Sequence, residues 1–169
     1  MTVPRTIGHV VLSVSDVERS IQFYRDVVGF QLAGYRPGGP GAFLTCGRVH
    51  HNLALFQAPA DAQPIQQNQI GLHHFAFEVD DYPTLQAAHQ RLVAAGVTID
   101  SIVSHGLTRS VYFLDPDGIR MELFSNAFAS DEEGLAFMRA TAGMVAPLDI
   151  SAPEPPAPPI PASDLAEVK

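Results

Sequence analysis

A chain of 169 residues with 46% hydrophobic content is long enough for one domain with a real core. A formal charge of −8 and the lack of any basic run argue against a nucleic-acid surface, and no stretch approaches the ~18 uninterrupted apolar residues of a membrane span. Cys46 is the only cysteine, which removes intrachain disulfides and thiolate zinc clusters and fits a reducing cytoplasm.

No apolar run follows Met1-Thr2-Val3-Pro4-Arg5, so no secretory signal is expected. His9-Val10-Val11-Leu12-Ser13-Val14-Ser15-Asp16-Val17 then opens the chain as a β-prone segment leading into a helix. Ser15 and Glu18 read as its capping box, Val17, Ile21, Tyr24 and Val28 as its buried stripe, and Gly29 as its stop. Strands are expected over 31–35, 42–45 and 49–56, with a glycine- and proline-rich loop at 34–41. Residues 57–70, rich in Gln, Ala and Pro, read as a connector.

The pattern then repeats. His74-Phe75-Ala76-Phe77-Glu78-Val79-Asp80-Asp81-Tyr82 again begins with His and runs through an apolar strand to Asp. Pro83 suits a first helical turn, Leu85, Ala88, Leu92 and Ala95 form the stripe, and Gly96 closes the helix. Strands follow over 98–103, 111–114 and 120–124, the last two joined by the turn-forming Asp115-Pro116-Asp117-Gly118. The fold class is therefore α+β, built from two βαβββ modules (5–57 and 70–126, within a domain of residues 1–126) that pair to bury their sheets.

Residues 127–146 are expected to add a C-terminal helix. Ser130-Asp131-Glu132-Glu133 is its capping signal, and Leu135, Met138 and Ala142 form its packing stripe. Residues 147–169, dominated by Pro-Glu-Pro-Pro-Ala-Pro-Pro-Ile-Pro, read as a disordered tail.

Seven histidines in such a chain invite a metal reading. His9 and His74 occupy equivalent positions in the two copies, and Glu122 sits between Met121 and Leu123, where a buried carboxylate needs a partner or a metal. Twofold pairing of the modules would bring the two histidines together, and Glu122 would complete a two-His-one-carboxylate set for Fe(II). His73 is the rival to His74, but neighbours on a strand face opposite sides, and alignment of the copies selects His74.

The repeat, the Leu72-His73-His74-Phe75 start and the Tyr112-Phe113-Leu114-Asp115-Pro116-Asp117-Gly118 hairpin ending in Glu122 resemble the vicinal oxygen chelate superfamily. Within it they are most similar to type I extradiol ring-cleaving dioxygenases such as catechol 2,3-dioxygenases. The resemblance spans about 7–125 and implies the paired βαβββ fold. It also implies Fe(II), with Mn(II) as the alternative, an aromatic diol and O2 as substrates, and a homo-oligomer. It matches His51 to the active-site His that stabilises reduced oxygen and donates a proton. His105 and Tyr112 match the residues that hold a substrate oxygen. The chain departs from that group in a shorter span between His105 and Tyr112 and in having a single pair of modules.

Three rivals are weighed beside it. A glyoxalase or epimerase of the superfamily uses a fourth ligand on the last strand of module one, where this chain has Leu53-Ala54-Leu55-Phe56 and only Gln57 at the end. A thiol-transferring resistance enzyme wants a cationic site, for which Arg36, Arg48, Arg109 and Arg120 are the candidates. A metal-free drug-binding protein has no need of His9, His74 and Glu122 together.

Overall fold

The computed structural model describes residues 4–66 and 70–161. It divides into two compact units, residues 1–70 with 115–119, and residues 71–114 with 120–169. Each contains one copy of the repeat, and both copies have the expected βαβββ order.

The first unit comprises β1 (Val10–Val14), α1 (Val17–Gln22) continued by a π-helical turn over Phe23–Val28, β2 (Gln31–Tyr35), β3 (Gly41–Thr45) and β4 (Leu53–Gln57). The sheet order is β1-β4-β3-β2, with β1 parallel to β4 and the other pairs antiparallel. Alternation drives one face inward: Leu12, Val14, Ala42, Leu44, Leu53 and Leu55 are buried. They meet the helical stripe of Val17, Ile21, Tyr24 and Val28, also buried. Gly29, at φ 110°, ends the helix by donating its N–H to the Tyr24 carbonyl.

Two local expectations are corrected here. Asp16, not Ser15, caps α1, its carboxylate accepting from the Arg19 N–H at 2.9 Å. Ser15 instead donates its N–H and hydroxyl to Asp117 in the 115–119 turn, at 3.0 and 2.5 Å. Strand β4 begins at Leu53 rather than at 49. Asn52 Oδ1 accepts from the Cys46 N–H and Thr45 donates to the Val49 carbonyl, which ties 46–52 into a loop and leaves His50 and His51 outside the sheet.

The second unit comprises β5 (Phe75–Glu78), α2 (Tyr82–Ala94), β6 (Ile99–Ser104), β7 (Thr108–Leu114), β8 (Arg120–Asn126), α3 (Asp131–Thr141) and β9 (Ala146–Pro147), in sheet order β5-β8-β7-β6-β9. Asp81 caps α2 on the Thr84 N–H at 2.8 Å, Pro83 sits in the first turn, and Leu85, Ala88 and Leu92 face β7 and β8. Ser130 caps α3 through Glu133 as expected.

The α3 stripe is different from the expected one. Phe137 is buried at 2% exposure, whereas Leu135 and Met138 remain 49% and 41% exposed. The reason is Gly106, at φ +80°: a Cβ there would stand 2.6 Å from the Phe137 ring, so the absent side chain lets that ring close on the β6–β7 turn.

The expectation of a disordered tail from Pro147 is overturned for the described residues up to 161. Pro147 pairs with Val103 in β9, Ile150 is buried, and Gln86 donates to the carbonyls of Ile150 and Ala152 at 2.8 and 3.1 Å. Arg109, 1% exposed, donates to the Pro155 and Pro156 carbonyls at 2.8 and 3.1 Å and to Ser104 and the Gly106 carbonyl, both at 2.9 Å. Proline carbonyls are good acceptors, so a segment with few N–H groups still docks by satisfying a buried guanidinium. The end of the expected tail, 162–169, lies outside the described residues.

Candidate active site

Strand register gives the two units a common frame. In the first, Val11 on β1, Ala54 on β4 and Phe43 on β3 form a row across the sheet. In the second, the row is Ala76 on β5, Glu122 on β8 and Tyr112 on β7. The repeat thus carries a carboxylate and a phenol in one copy at the positions of an alanine and a phenylalanine in the other. Polar function is concentrated in the second row.

Around that row the second unit builds a connected set of side chains. His74 Nε2 lies 3.1 Å from Glu122 Oε2, and Glu122 is buried at 6% exposure. The His74 ring packs edge-on against Tyr112, with centroids 5.2 Å apart. His105 Nε2 lies 2.9 Å from the Tyr112 hydroxyl, and His105 Nδ1 lies 3.2 Å from the Met144 carbonyl. A carbonyl only accepts, so Nδ1 carries a proton and donates, and Nε2 is the ring's contact with the Tyr112 hydroxyl.

The electrostatics follow from burial and neighbours. Burial, then the charge and hydrogen bond of Glu122, push the Tyr112 phenol up to about 12, so it stays protonated at neutral pH. Arg120 opposes this from above the ring, its Cζ 4.0 Å from the centroid, while it is itself paired with Asp100 at 2.8 Å. Burial holds His74 below the usual histidine range despite the attraction of Glu122, keeping the imidazole neutral at pH 7. His73 is exposed, and its Nδ1 lies 2.8 Å from Nδ1 of His74, so His74 is the histidine that reaches Glu122.

In the first unit, His9 and His51 come together, with ring centroids 4.6 Å apart. His51 also packs edge-on against Phe43 at 5.3 Å and shares a 2.5 Å Nδ1–Nδ1 contact with His50, which requires one ring to donate and the other to accept. Desolvation first, then His50 and His9, hold the His51 pKa below the usual range. The ring is therefore a neutral base at pH 7.

A neutral imidazole and a buried carboxylate with donor atoms 3.1 Å apart suit two neighbouring positions on one divalent metal, since ligand bonds of ~2.1 Å at a right angle put donors about 3 Å apart. Among the described residues no group of three or more His, Cys, Asp or Glu side chains is assembled to hold an ion, so the donor set within the second unit is this pair. Gln57 is otherwise engaged: its amide donates to the Ser15 carbonyl at 2.8 Å and accepts from the Val17 N–H at 3.4 Å. Arg109 likewise serves the C-terminal segment rather than an anion site.

A cavity of about 480 Å³ opens on this cluster, lined by His105, Tyr112 and Glu122 together with the apolar Met138, Met144 and Val145. These apolar residues escaped sequence reasoning. The helical stripe that includes Met138 signals packing, and nothing local marks Met144 or Val145.

Residues 6–123 match the family model of the Glyoxalase/Bleomycin resistance protein/Dioxygenase superfamily. The chain belongs to that superfamily. This superfamily member is 34% identical over 139 residues to Biphenyl-2,3-diol 1,2-dioxygenase 3 of Rhodococcus globerulus, covering 82% of this chain and 72% of that one. It is 35% identical over 129 residues to Glutathione transferase FosA of Serratia marcescens, covering 75% and 84% of the two chains. A solved glyoxalase/dioxygenase from Nostoc punctiforme shares the fold, with TM-score 0.63 at 23% identity over 72% of this chain and 91% of that one. Among the described residues no helix is long and apolar enough to cross a membrane.

Proposed function

We propose that this superfamily member is an extradiol dioxygenase that opens the ring of a catechol-type diol with both atoms of O2. Its proposed metal is Fe(II), with Mn(II) as the alternative. The observation that carries the reading is the connected set His105–Tyr112–Glu122–His74, which joins a proton-handling pair to a donor pair on one sheet face. The similarity to a named biphenyl-2,3-diol dioxygenase supports it. His74 and Glu122 are the proposed ligands, and His9, the repeat counterpart of His74, is the proposed third. Bound iron supplies the Lewis-acid and redox chemistry that lets a singlet diol react with O2.

The chain's own residues handle binding and protons. Tyr112, held protonated, donates to a substrate oxygen that carries negative charge. His105, its Nδ1 committed to the Met144 carbonyl, presents Nε2 to the Tyr112 hydroxyl as the route by which a substrate proton leaves. His51, also neutral at pH 7, is the proposed oxygen-side acid and base. A small aromatic diol, O2, a homo-oligomer and a cytoplasmic site complete the proposal.

A thiol-transferring reading draws on the likeness to the glutathione transferase. Against it, two of its candidate cations are occupied, Arg109 by the C-terminal carbonyls and Arg120 by Asp100 and Tyr112. A glyoxalase reading lacks its extra ligand, because Ala54 stands where the repeat has Glu122. Loading the protein anaerobically with Fe(II), adding catechol and then admitting air tests the proposal. A yellow ring-fission product is expected from the parent and about 10²–10⁴-fold less from His51→Ala, the usual worth of a positioned acid or base. Thiol consumption without ring opening would replace the proposal with the transferase reading.

A further inference from the structure

Both nitrogens of the His74 ring are engaged within the second unit. Nε2 meets Glu122 Oε2 at 3.1 Å, Nδ1 lies 2.8 Å from Nδ1 of His73, and the ring packs edge-on against Tyr112. His73 and His74 precede β5 rather than belong to it, so the alternation that sends strand neighbours to opposite faces does not govern them. The two imidazoles therefore meet, with centroids 5.1 Å apart and planes inclined at 75°. His73 is exposed and His74 is half-buried. The first unit backs His51 in the same way, with Nδ1 of His50 at 2.5 Å from its Nδ1.

Two facing Nδ1 atoms form a hydrogen bond only when one carries a proton and the other does not. What stands at the far end of His74 decides which. A carboxylate only accepts, so with Glu122 at Nε2 the neutral ring carries its proton there. Nδ1 is then bare and accepts from His73 Nδ1. A metal ligated at Nε2 needs that lone pair, which moves the ring's proton to Nδ1. Nδ1 becomes a donor, and its partner has to accept. A backbone carbonyl would serve only the second state, and an ammonium only the first. A neutral histidine serves both, because it can carry its proton on either nitrogen.

We propose that His73 is the positioning residue of His74, partnering Nδ1 in both tautomers so that Nε2 exchanges its proton for a metal ion while the ring keeps its orientation. The protons balance. His74 loses one from Nε2 to water and gains one at Nδ1 from His73, and the exposed His73 ring takes one from water at its own Nε2. Both rings are neutral before and after. The inference rests on the reading of His74 as a metal ligand, and its test separates the two claims.

The test uses the full chain labelled with ¹⁵N at histidine, metal-free and then titrated with Zn(II), a diamagnetic ion that accepts the same donors. Long-range ¹H–¹⁵N spectra show which nitrogen of each ring is protonated. In the metal-free protein His74 should carry its proton on Nε2 and His73 on Nδ1. With zinc the two should swap, His74 to Nδ1 and His73 to Nε2. His73→Ala should weaken zinc binding about 10–100-fold, the usual loss when a ligating histidine loses its partner. His73→Gln should recover most of that loss, because its amide can turn either its N–H or its carbonyl to Nδ1. A His73 tautomer unchanged by zinc would overturn the role of His73 while leaving His74 a ligand. So would a metal-free His74 protonated on both nitrogens, parent-like zinc affinity in His73→Ala, or a Gln variant no better than the Ala one. Parent-like zinc affinity in His74→Ala would contradict the ligand reading itself, and the proposal with it.

Discussion

Nε2 of His74 and Oε2 of Glu122 stand 3.1 Å apart, joining the residue before β5 to its hydrogen-bonded neighbour strand β8. The pair is partly screened from water, with the carboxylate side chain 8% exposed and the imidazole 30%. Parallel pairing of β5 with β8 puts Phe75 opposite Met121 and Ala76 opposite Glu122, so the backbone register itself delivers the carboxylate to the histidine.

Replacing Glu122 with Ala should therefore abolish high-affinity metal binding while leaving the fold. Loss of an outer-shell partner alone typically weakens metal binding about 10–100-fold, so removal of a direct ligand should exceed about a hundredfold. Iron content after anaerobic loading and calorimetric titration measure it. Urea unfolding of the metal-free variant should differ from the parent by no more than about 1 kcal/mol, because the hydrogen bond to the neutral imidazole largely offsets the cost of burying the carboxylate. Parent-like iron content in the variant would remove Glu122 from the ligand set.

Truncation after Ala146 should destabilise the protein. The buried Arg109 guanidinium would lose the Pro155 and Pro156 carbonyls that accept from Nη2. A charged donor left without partners costs about 1–3 kcal/mol or more, and Ile150 burial would be lost as well. A lower urea midpoint for the truncated chain is expected. Removal of 162–169 alone retains every one of these contacts and serves as the control.

These two cases mark what was legible in the sequence. His74 and Glu122 could be read because repeat alignment and an out-of-place carboxylate both survive in one dimension. The docking of 147–156 could not: its proline composition signals disorder, and its partner is a guanidinium 46 residues earlier that binds carbonyls common to every sequence. Ser15 misled for a related reason. It and Asp16 are both good caps, and the choice was made by Asp117 on the distant turn, which takes both Ser15 donors. Phe137 was missed because a small residue at Gly106, not the helix's own periodicity, decides which α3 face is buried.

Asp115 offers a test of pH dependence. Its carboxylate accepts from the Tyr24 hydroxyl at 2.7 Å and from the N–H groups of Asp117 and Ile119 at 2.9 and 2.8 Å, yet burial holds its pKa above the ordinary 3.8. A folded pKa above the unfolded one contributes stability that is fully present below the unfolded value and is lost as pH rises through the folded value. Relative to Asp115→Asn, the parent should gain stability as pH is lowered from 7 toward 4, with a flat difference at the neutral end. Urea unfolding of both proteins across that window measures it. A difference that moves against the parent on acidification would contradict the placement of Asp115.

The most direct test of the dioxygenase proposal is isotopic. The iron-loaded protein is given 3-phenylcatechol under ¹⁸O2, and the product is read by mass spectrometry. The account predicts a ring-opened product carrying two labelled oxygens, with the carbon–carbon bond beside the diol broken. An intact ring, or no label in any product, from protein that holds its iron would contradict it.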